Sequence, residues 1–206
     1  TLPNENLNEN GYNGAEGIIT YRGSISNDFQ FSVSGNMTYS RYKNISTYKP
    51  RFGNSYNEYR NSIEDRWGGV WWGYQVVGRF ESEDQINNYE VNIDGQNNQT
   101  LLPGDFIYKD VNNDGIINYM DERPIGYPTN WSPILSYGGT ISMNWKNIDF
   151  TVDLAGGSMQ SWFQDYELRN PFHAGGNSPA YLLTDRWHRA DPYDPNSEWI
   201  PGKYPA

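Results

Sequence analysis

The sequence contains no cysteine among its 206 residues. That excludes a disulfide framework, a thiol nucleophile and any thiolate metal site. Histidine is scarce as well: His173 and His188 are the only two, and neither stands in a motif resembling a nucleophile elbow or a catalytic triad. No catalytic residue is assigned, and no enzyme activity is expected. Basic residues number 15 against 25 acidic ones, a net charge of -10. Because they do not cluster, a phosphate backbone would be repelled, and nucleic acid is not an expected partner. No run of ~18 apolar residues occurs, which excludes a transmembrane helix but leaves membrane-crossing strands open.

Glycine (21), proline (12), tryptophan (8) and tyrosine (17) are plentiful while 36% of residues are apolar, a balance that favours strands and long loops over helices. From Ala15 to Ser26 and from Phe29 to Ser40 the residues alternate with period two, sending successive side chains to opposite sheet faces. Phe29, Phe31, Val33, Met37 and Tyr39 share one face; Gln30, Ser32, Ser34, Asn36, Thr38 and Ser40 share the other. Ser26-Asn27-Asp28 is turn chemistry, so the two segments form a hairpin. Downstream, Tyr137, Ile141, Met143 and Trp145, then Ile148, Phe150, Val152 and Leu154, oppose polar partners around a Lys146-Asn147 turn.

A soluble half-buried antiparallel sheet gives the same alternation. Three details favour a membrane barrel. The strands have the ~9 to 11 residues that a tilted membrane-crossing strand needs, against the usual ~5 to 6. Their polar faces carry Ser, Thr, Asn, Gln and Asp, as a wet lumen does, and short turns alternate with long connections. The expected fold is therefore all-β, with antiparallel transmembrane β-barrel hairpins at 1–40 and 136–156. A long extracellular connection fills 41–135, and a second one runs from 157 to 206. Within the first connection, Gly73 to Phe80 and Gly104 to Lys109 read as short strands and Gln85 to Thr100 as an exposed polar excursion. No long helix is expected, and Leu182 to Arg189 reads as a short one. The start at Thr1 and the loop-like end in Pro-Gly-Lys-Tyr-Pro-Ala predict a piece of a longer protein.

The most specific signal is Asp110 to Asp121. Oxygen-bearing side chains occupy positions 1, 3, 5, 9 and 12 of a twelve-residue loop, with Gly115 at position 6. Calcium takes six to eight hard oxygen ligands around such a turn. Asp110, Asn112, Asp114 and Asp121 supply side chains, Ile116 its carbonyl, and Asn118 a direct or water-mediated contact. The competing reading is an Asx-rich turn that holds itself together. The lead-in Asp105 to Lys109 reads as strand, and Pro124 disfavours a long exit helix. Position 12 is Asp, as in a dockerin loop, but a single copy makes a docking role improbable and points to a structural brace.

Leu2-Pro-Asn-Glu-Asn-Leu, Phe31-Ser-Val-Ser-Gly-Asn36, Trp72-Gly-Tyr-Gln-Val-Val-Gly-Arg-Phe80 and Pro103-Gly-Asp-Phe-Ile-Tyr-Lys-Asp110 follow one another along the chain. The calcium loop, Glu122-Arg-Pro-Ile-Gly126, the strands of Ser136 to Gly156 and Leu182-Leu-Thr-Asp-Arg-Trp187 come next. This ordered series resembles the late barrel region of the SusC/RagA family of TonB-linked outer-membrane importers. The resemblance implies an outer-membrane location, a SusD-like lipoprotein partner and a glycan or oligopeptide ligand. Coupling to TonB would run through N-terminal parts that this sequence lacks, along with the plug and most barrel strands.

Trp67, Trp71, Trp72 and Tyr74 cluster, as do Trp162, Phe163 and Tyr166. Such rings serve interface girdles and loop packing, and they also stack on sugars. Trp71, Trp72 and Trp162 are the candidate ligand contacts. The alternative to an importer is a soluble extracellular calcium-braced β-sandwich that binds carbohydrate. The apolar strand faces separate the two: lipid-facing side chains form an exposed band, whereas a sandwich closes them into a core.

Overall fold

Period-two alternation in the sequence becomes a set of long paired strands in the computed structural model, which describes residues 7–48, 50–129, 132–164 and 170–206. Tyr166 and Leu2 to Asn6 lie outside these residues. The chain is mostly antiparallel β-structure and divides into two compact units, Thr1–Trp71 with Gly126–Ser161, and Trp72–Ile125 with Trp162–Ala206. Strands are numbered in chain order.

In the first unit β1 (Glu9–Ser26), β2 (Phe29–Ser46), β8 (Leu135–Trp145) and β9 (Ile148–Ser158) form one sheet in the order β1-β2-β8-β9. The two hairpins are therefore direct neighbours: β2 pairs with β8 from Phe29↔Trp145 to Tyr39↔Leu135. That register sets both tight turns at one end of the sheet and the long connections at the other. Partners across the ladder share a face, so Val33 lines up with Tyr21, Ile141 and Val152. Aromatic rings lie across glycines on neighbouring strands. A Cβ at Gly23 would sit 2.7 Å from the Phe31 ring, and one at Gly156 would sit 2.4 Å from the Tyr137 ring.

β1 and β2 each run to 18 residues, six beyond the expected limits at the end away from the turn. Past Ser40 both faces become polar or charged, with Arg41 and Lys43 on one and Tyr42 and Asn44 on the other. Hydrophobic alternation stops there while backbone pairing continues to Glu9↔Ser46, because the sequence pattern reports a buried face rather than the ladder itself. The short β3 (Arg66–Trp67) pairs with β2 at Lys43 and Asn44.

Among the described residues, large side chains on the apolar face of this sheet stand exposed. On the apolar side Ile19 is 80%, Phe150 53% and Leu154 61% exposed. The opposite side carries short polar pairs, Thr20 with Ser34 at 3.0 Å, Thr140 with Asp153 at 2.7 Å and Asn144 with Asp149 at 2.6 Å. Ile134 is the only large hydrophobic side chain buried in this unit among the described residues. The sheet does not close: β1 and β9 remain its edges among the described residues.

The second unit has a small core of its own. β4 (Trp71–Gly73), at the crossing between the units, pairs with β7 (Arg123–Gly126), and β5 (Val76–Arg79) pairs with β6 (Phe106–Tyr108). The Ser82 hydroxyl accepts the Gln85 N–H at 3.2 Å and caps the short helix Glu83–Asn87. That helix delivers Ile86 onto Phe80 and Ile107, with Tyr89, Ile93 and Leu101 packed around them. The expected helix over 182–189 is one turn, Tyr181–Thr184, followed by β10 (His188–Arg189), which pairs with β11 (Trp199–Ile200). Trp187 between them is buried against Gly104, where a Cβ would fall 2.4 Å from the indole.

Candidate metal centre

β6 carries the chain into the Asp110–Asp121 loop, held by the Lys109 N–H donating to the Gln75 carbonyl at 2.9 Å. Asp110 then takes two backbone N–H groups, from Asn113 at 2.6 Å and from Gly115 at 2.8 Å. These bonds wrap the first half of the loop around one carboxylate. Gly115 makes the bend at φ +80, a left-handed backbone that side chains with a Cβ resist. The second half is closed by Asp121, which is wholly buried. Its oxygens accept the N–H groups of Val111 and Asn118, each at 2.9 Å. Asn118 in turn accepts the Met120 N–H at 2.8 Å, so a single 3-10 turn, Tyr119–Asp121, ends the loop where a longer helix would otherwise run. Pro124 follows in β7, in keeping with the expected lack of a long exit helix.

Between these anchors the side chains at positions 3, 5 and 9 meet. The Asn112 amide donates to Asp114 Oδ2 at 2.9 Å and the Asn118 amide to the same oxygen at 3.4 Å. The Asn112 amide, the Ile116 N–H and the Asn118 amide outweigh desolvation and hold the Asp114 carboxyl below its ordinary range. Among the described residues no three His, Cys, Asp or Glu side chains converge as they would around a metal. What converges is Asn112, Asp114 and Asn118. The donor types are those calcium takes, carboxylate oxygens from Asp110, Asp114 and Asp121 and amide groups from Asn112 and Asn118, with the Asn112 and Asn118 oxygens accepting the Asp114 and Met120 N–H groups. Among the described residues nothing donates to the Ile116 carbonyl.

The polar stretch Gln85 to Thr100, expected as an exposed excursion, is instead folded on itself and against this loop. The Asn92 N–H donates to the Gly115 carbonyl at 2.8 Å, and the Ile117 N–H donates to the Asn92 carbonyl at 2.9 Å. Buried Asn98 accepts the Ile93 N–H at 2.8 Å and donates to the Val91 carbonyl at 2.9 Å. Asp94 closes the circle by accepting N–H groups from Gln96, Asn98 and Thr100 and the Thr100 hydroxyl, at 2.7 to 2.8 Å. Desolvation pushes the Asp94 carboxyl up, but the Thr100 and Gln96 N–H groups, the Thr100 hydroxyl and the Asn98 N–H hold it well below the usual carboxylate range. Composition marks this segment only as polar. Asp94-Gly95 and Asn97-Asn98, with Gly95, Asn97 and Asn98 all at positive φ, are the local signals of a built turn.

The aromatic candidates are not gathered into one site within either unit. Trp71 and Trp72 are consecutive in β4 and so face opposite ways. Trp162 belongs to the second unit and is 88% exposed. No protein-family model matches the chain, and no curated protein matches it significantly.

Proposed function

We propose that this chain is a late barrel region of a TonB-linked outer-membrane importer of the SusC/RagA type. It would take up glycans or oligopeptides with a SusD-like surface lipoprotein, and its twelve-residue loop would be a calcium brace. The exposed apolar face of the four-stranded sheet carries the membrane part of this reading. A large aliphatic or aromatic side chain gains roughly 1.5–3 kcal/mol on leaving water. An open face bearing Tyr21, Ile19, Val33, Ile141, Phe150 and Leu154 therefore needs a cover. The rows from Phe29 to Tyr39 extend for roughly 33 Å along the strand, or roughly 25 Å at the ~40° tilt of membrane barrels, the height of their apolar band. A sandwich would bury these side chains under a second sheet, whereas Ile19, Phe150 and Leu154 are more than half exposed.

The calcium part rests on the meeting of Asn112, Asp114 and Asn118 between two backbone-saturated carboxylates. When bound, calcium would supply charge neutralisation and cross-linking, and Asp110, Asn112, Asp114, Asp121, Asn118 and the Ile116 carbonyl would hold it. Trp162, with Trp71 and Trp72, offers ring faces for sugar contact.

The test uses single cysteines, clean in a sequence that has none. Leu154→Cys and Asp153→Cys stand on opposite faces of β9. In outer-membrane preparations, Leu154→Cys should resist water-soluble thiol reagents and its label should be quenched by lipid-phase quenchers, with Asp153→Cys behaving oppositely. Equal reactivity with water-soluble reagents at both would reject the membrane reading.

A further inference from the structure

The outward face of β2 does not end with the apolar band. Register carries Arg41 and Lys43 onto the same face as Met37 and Tyr39, one and two rows further on. β3 sets Trp67 directly beside Lys43. The Arg41 guanidinium lies 4.5 Å from the Trp67 ring centre and the Lys43 ammonium 5.6 Å, so one indole backs both cations. Lys43 is balanced by Asp65 at 2.5 Å, an exposed carboxylate. Arg41 is not balanced: among the described residues no group accepts a hydrogen bond from it, and its Nε is buried without a partner. Buried donors are normally paired, and leaving one unpaired is costly. On β1, Gly11 and Asn13 stand opposite Lys43 and Arg41, and β8 begins only at Leu135, opposite Tyr39. Arg41 lines a surface cavity with Gly68, Gly69, Ser132 and Pro133, so the guanidinium has small neighbours.

We propose that Arg41 and Lys43, backed by Trp67, bind the phosphate of a lipid headgroup in the outer leaflet. The proposal rests on the membrane reading above. Each row adds roughly 6.6 Å along the strand, so at ~40° tilt the two cations stand roughly 5 and 10 Å beyond the apolar band. The headgroup layer begins at the edge of the band and is roughly 5–8 Å thick, so Arg41 stands within it and Lys43 just beyond it. A guanidinium fixed against an indole and lacking an internal acceptor matches the planar fork that phosphate oxygens accept.

The natural full-length protein would be placed in nanodiscs of neutral lipid doped with lipid A, either phosphorylated or dephosphorylated. Lipid retention would be read by native mass spectrometry. Wild type should retain the phosphorylated form roughly five- to tenfold more strongly. Arg41→Gln with Lys43→Gln should abolish that preference, Arg41→Lys should keep part of it, and Lys146→Gln at the opposite end should leave it unchanged. An unaltered preference in the double variant overturns the proposal, as does equal competition by inorganic phosphate, which would mark a free-anion site. If Leu154→Cys reports lipid and wild type still shows no preference, only this inference falls. If Leu154→Cys reports water, the membrane reading falls and takes the inference with it.

Discussion

Replacing Asp121 by Asn is expected to open the twelve-residue loop and, through it, the polar loop beside it. The buried carboxylate accepts one backbone N–H on each oxygen, from Val111 and from Asn118. An amide keeps the volume but offers one acceptor and turns its NH2 toward the other N–H. One buried donor is then unpaired, at about 1–3 kcal/mol. Local opening becomes easier by that amount, and amide exchange at Val111 and Asn118 should rise roughly five- to 150-fold. Ile117 should follow, because its N–H donates to the Asn92 carbonyl, and so should Asn92, which donates to Gly115. Hydrogen exchange read by mass spectrometry on the natural full-length protein resolves these segments from β2 and β8. Unchanged exchange at 111 and 118 would show that the buried carboxylate does not close the loop. An equal rise across β2 and β8 would show that the effect is global unfolding, and the local argument would fail.

Three further outcomes follow from the same residues. Gly115→Ala meets no neighbouring atom within 4 Å, so its cost is the left-handed backbone alone, about 1 kcal/mol; terbium luminescence should report a roughly fivefold loss of affinity, and no loss would count against the bend. Asp114→Ala should remove the terbium signal while the protein still assembles in the outer membrane, since no strand pairs through this residue. With its folded carboxyl held below the ordinary value, Asp114 contributes fully above the unfolded value near pH ~4 and loses its contribution as pH falls through the lower folded value; a decline in calcium binding already between pH 7 and 6 would assign control to another group. Trp162→Ala, at an exposed ring, should change stability by less than about 0.5 kcal/mol and weaken glycan binding by the intact complex, and unchanged affinity would remove Trp162 from the ligand contacts.

The hairpins are legible because Phe29 to Ser40 and Ser136 to Leu154 encode their faces locally, residue by residue. Their turns are legible too, down to Lys146, which takes the positive φ of a tight two-residue turn. Direct pairing of β2 with β8 is not encoded in that way, because the partners are separated by the whole connection from residue 47 to residue 134. The second unit was the least legible. Its core of Phe80, Ile86 and Ile107 comes from three short segments with no shared period, and Ile86 sits in a stretch whose composition reads as solvent-exposed. Buried Asn98 explains why: its side chain replaces backbone partners for Ile93 and Val91, so a polar residue does the packing that an apolar one usually announces.

The same bonds argue for a brace over a switch at the proposed calcium loop. A calcium sensor works when binding moves the position-12 ligand and reorients the flanking helices. Here position 12 is Asp121, already buried and bonded at both oxygens, and the flanks are β6 and β7. The metal would find its frame in place, so its binding energy would go into keeping the loop closed. At a concentration 100 times Kd, that linkage is worth about 2.7 kcal/mol, enough to slow local opening by roughly 100-fold. The Gly115 and Ile117 backbone is shared with Asn92, so protection should extend through the ring that Asp94 closes and stop there. Calcium that instead altered exchange in β1 or β9 would make it a switch after all.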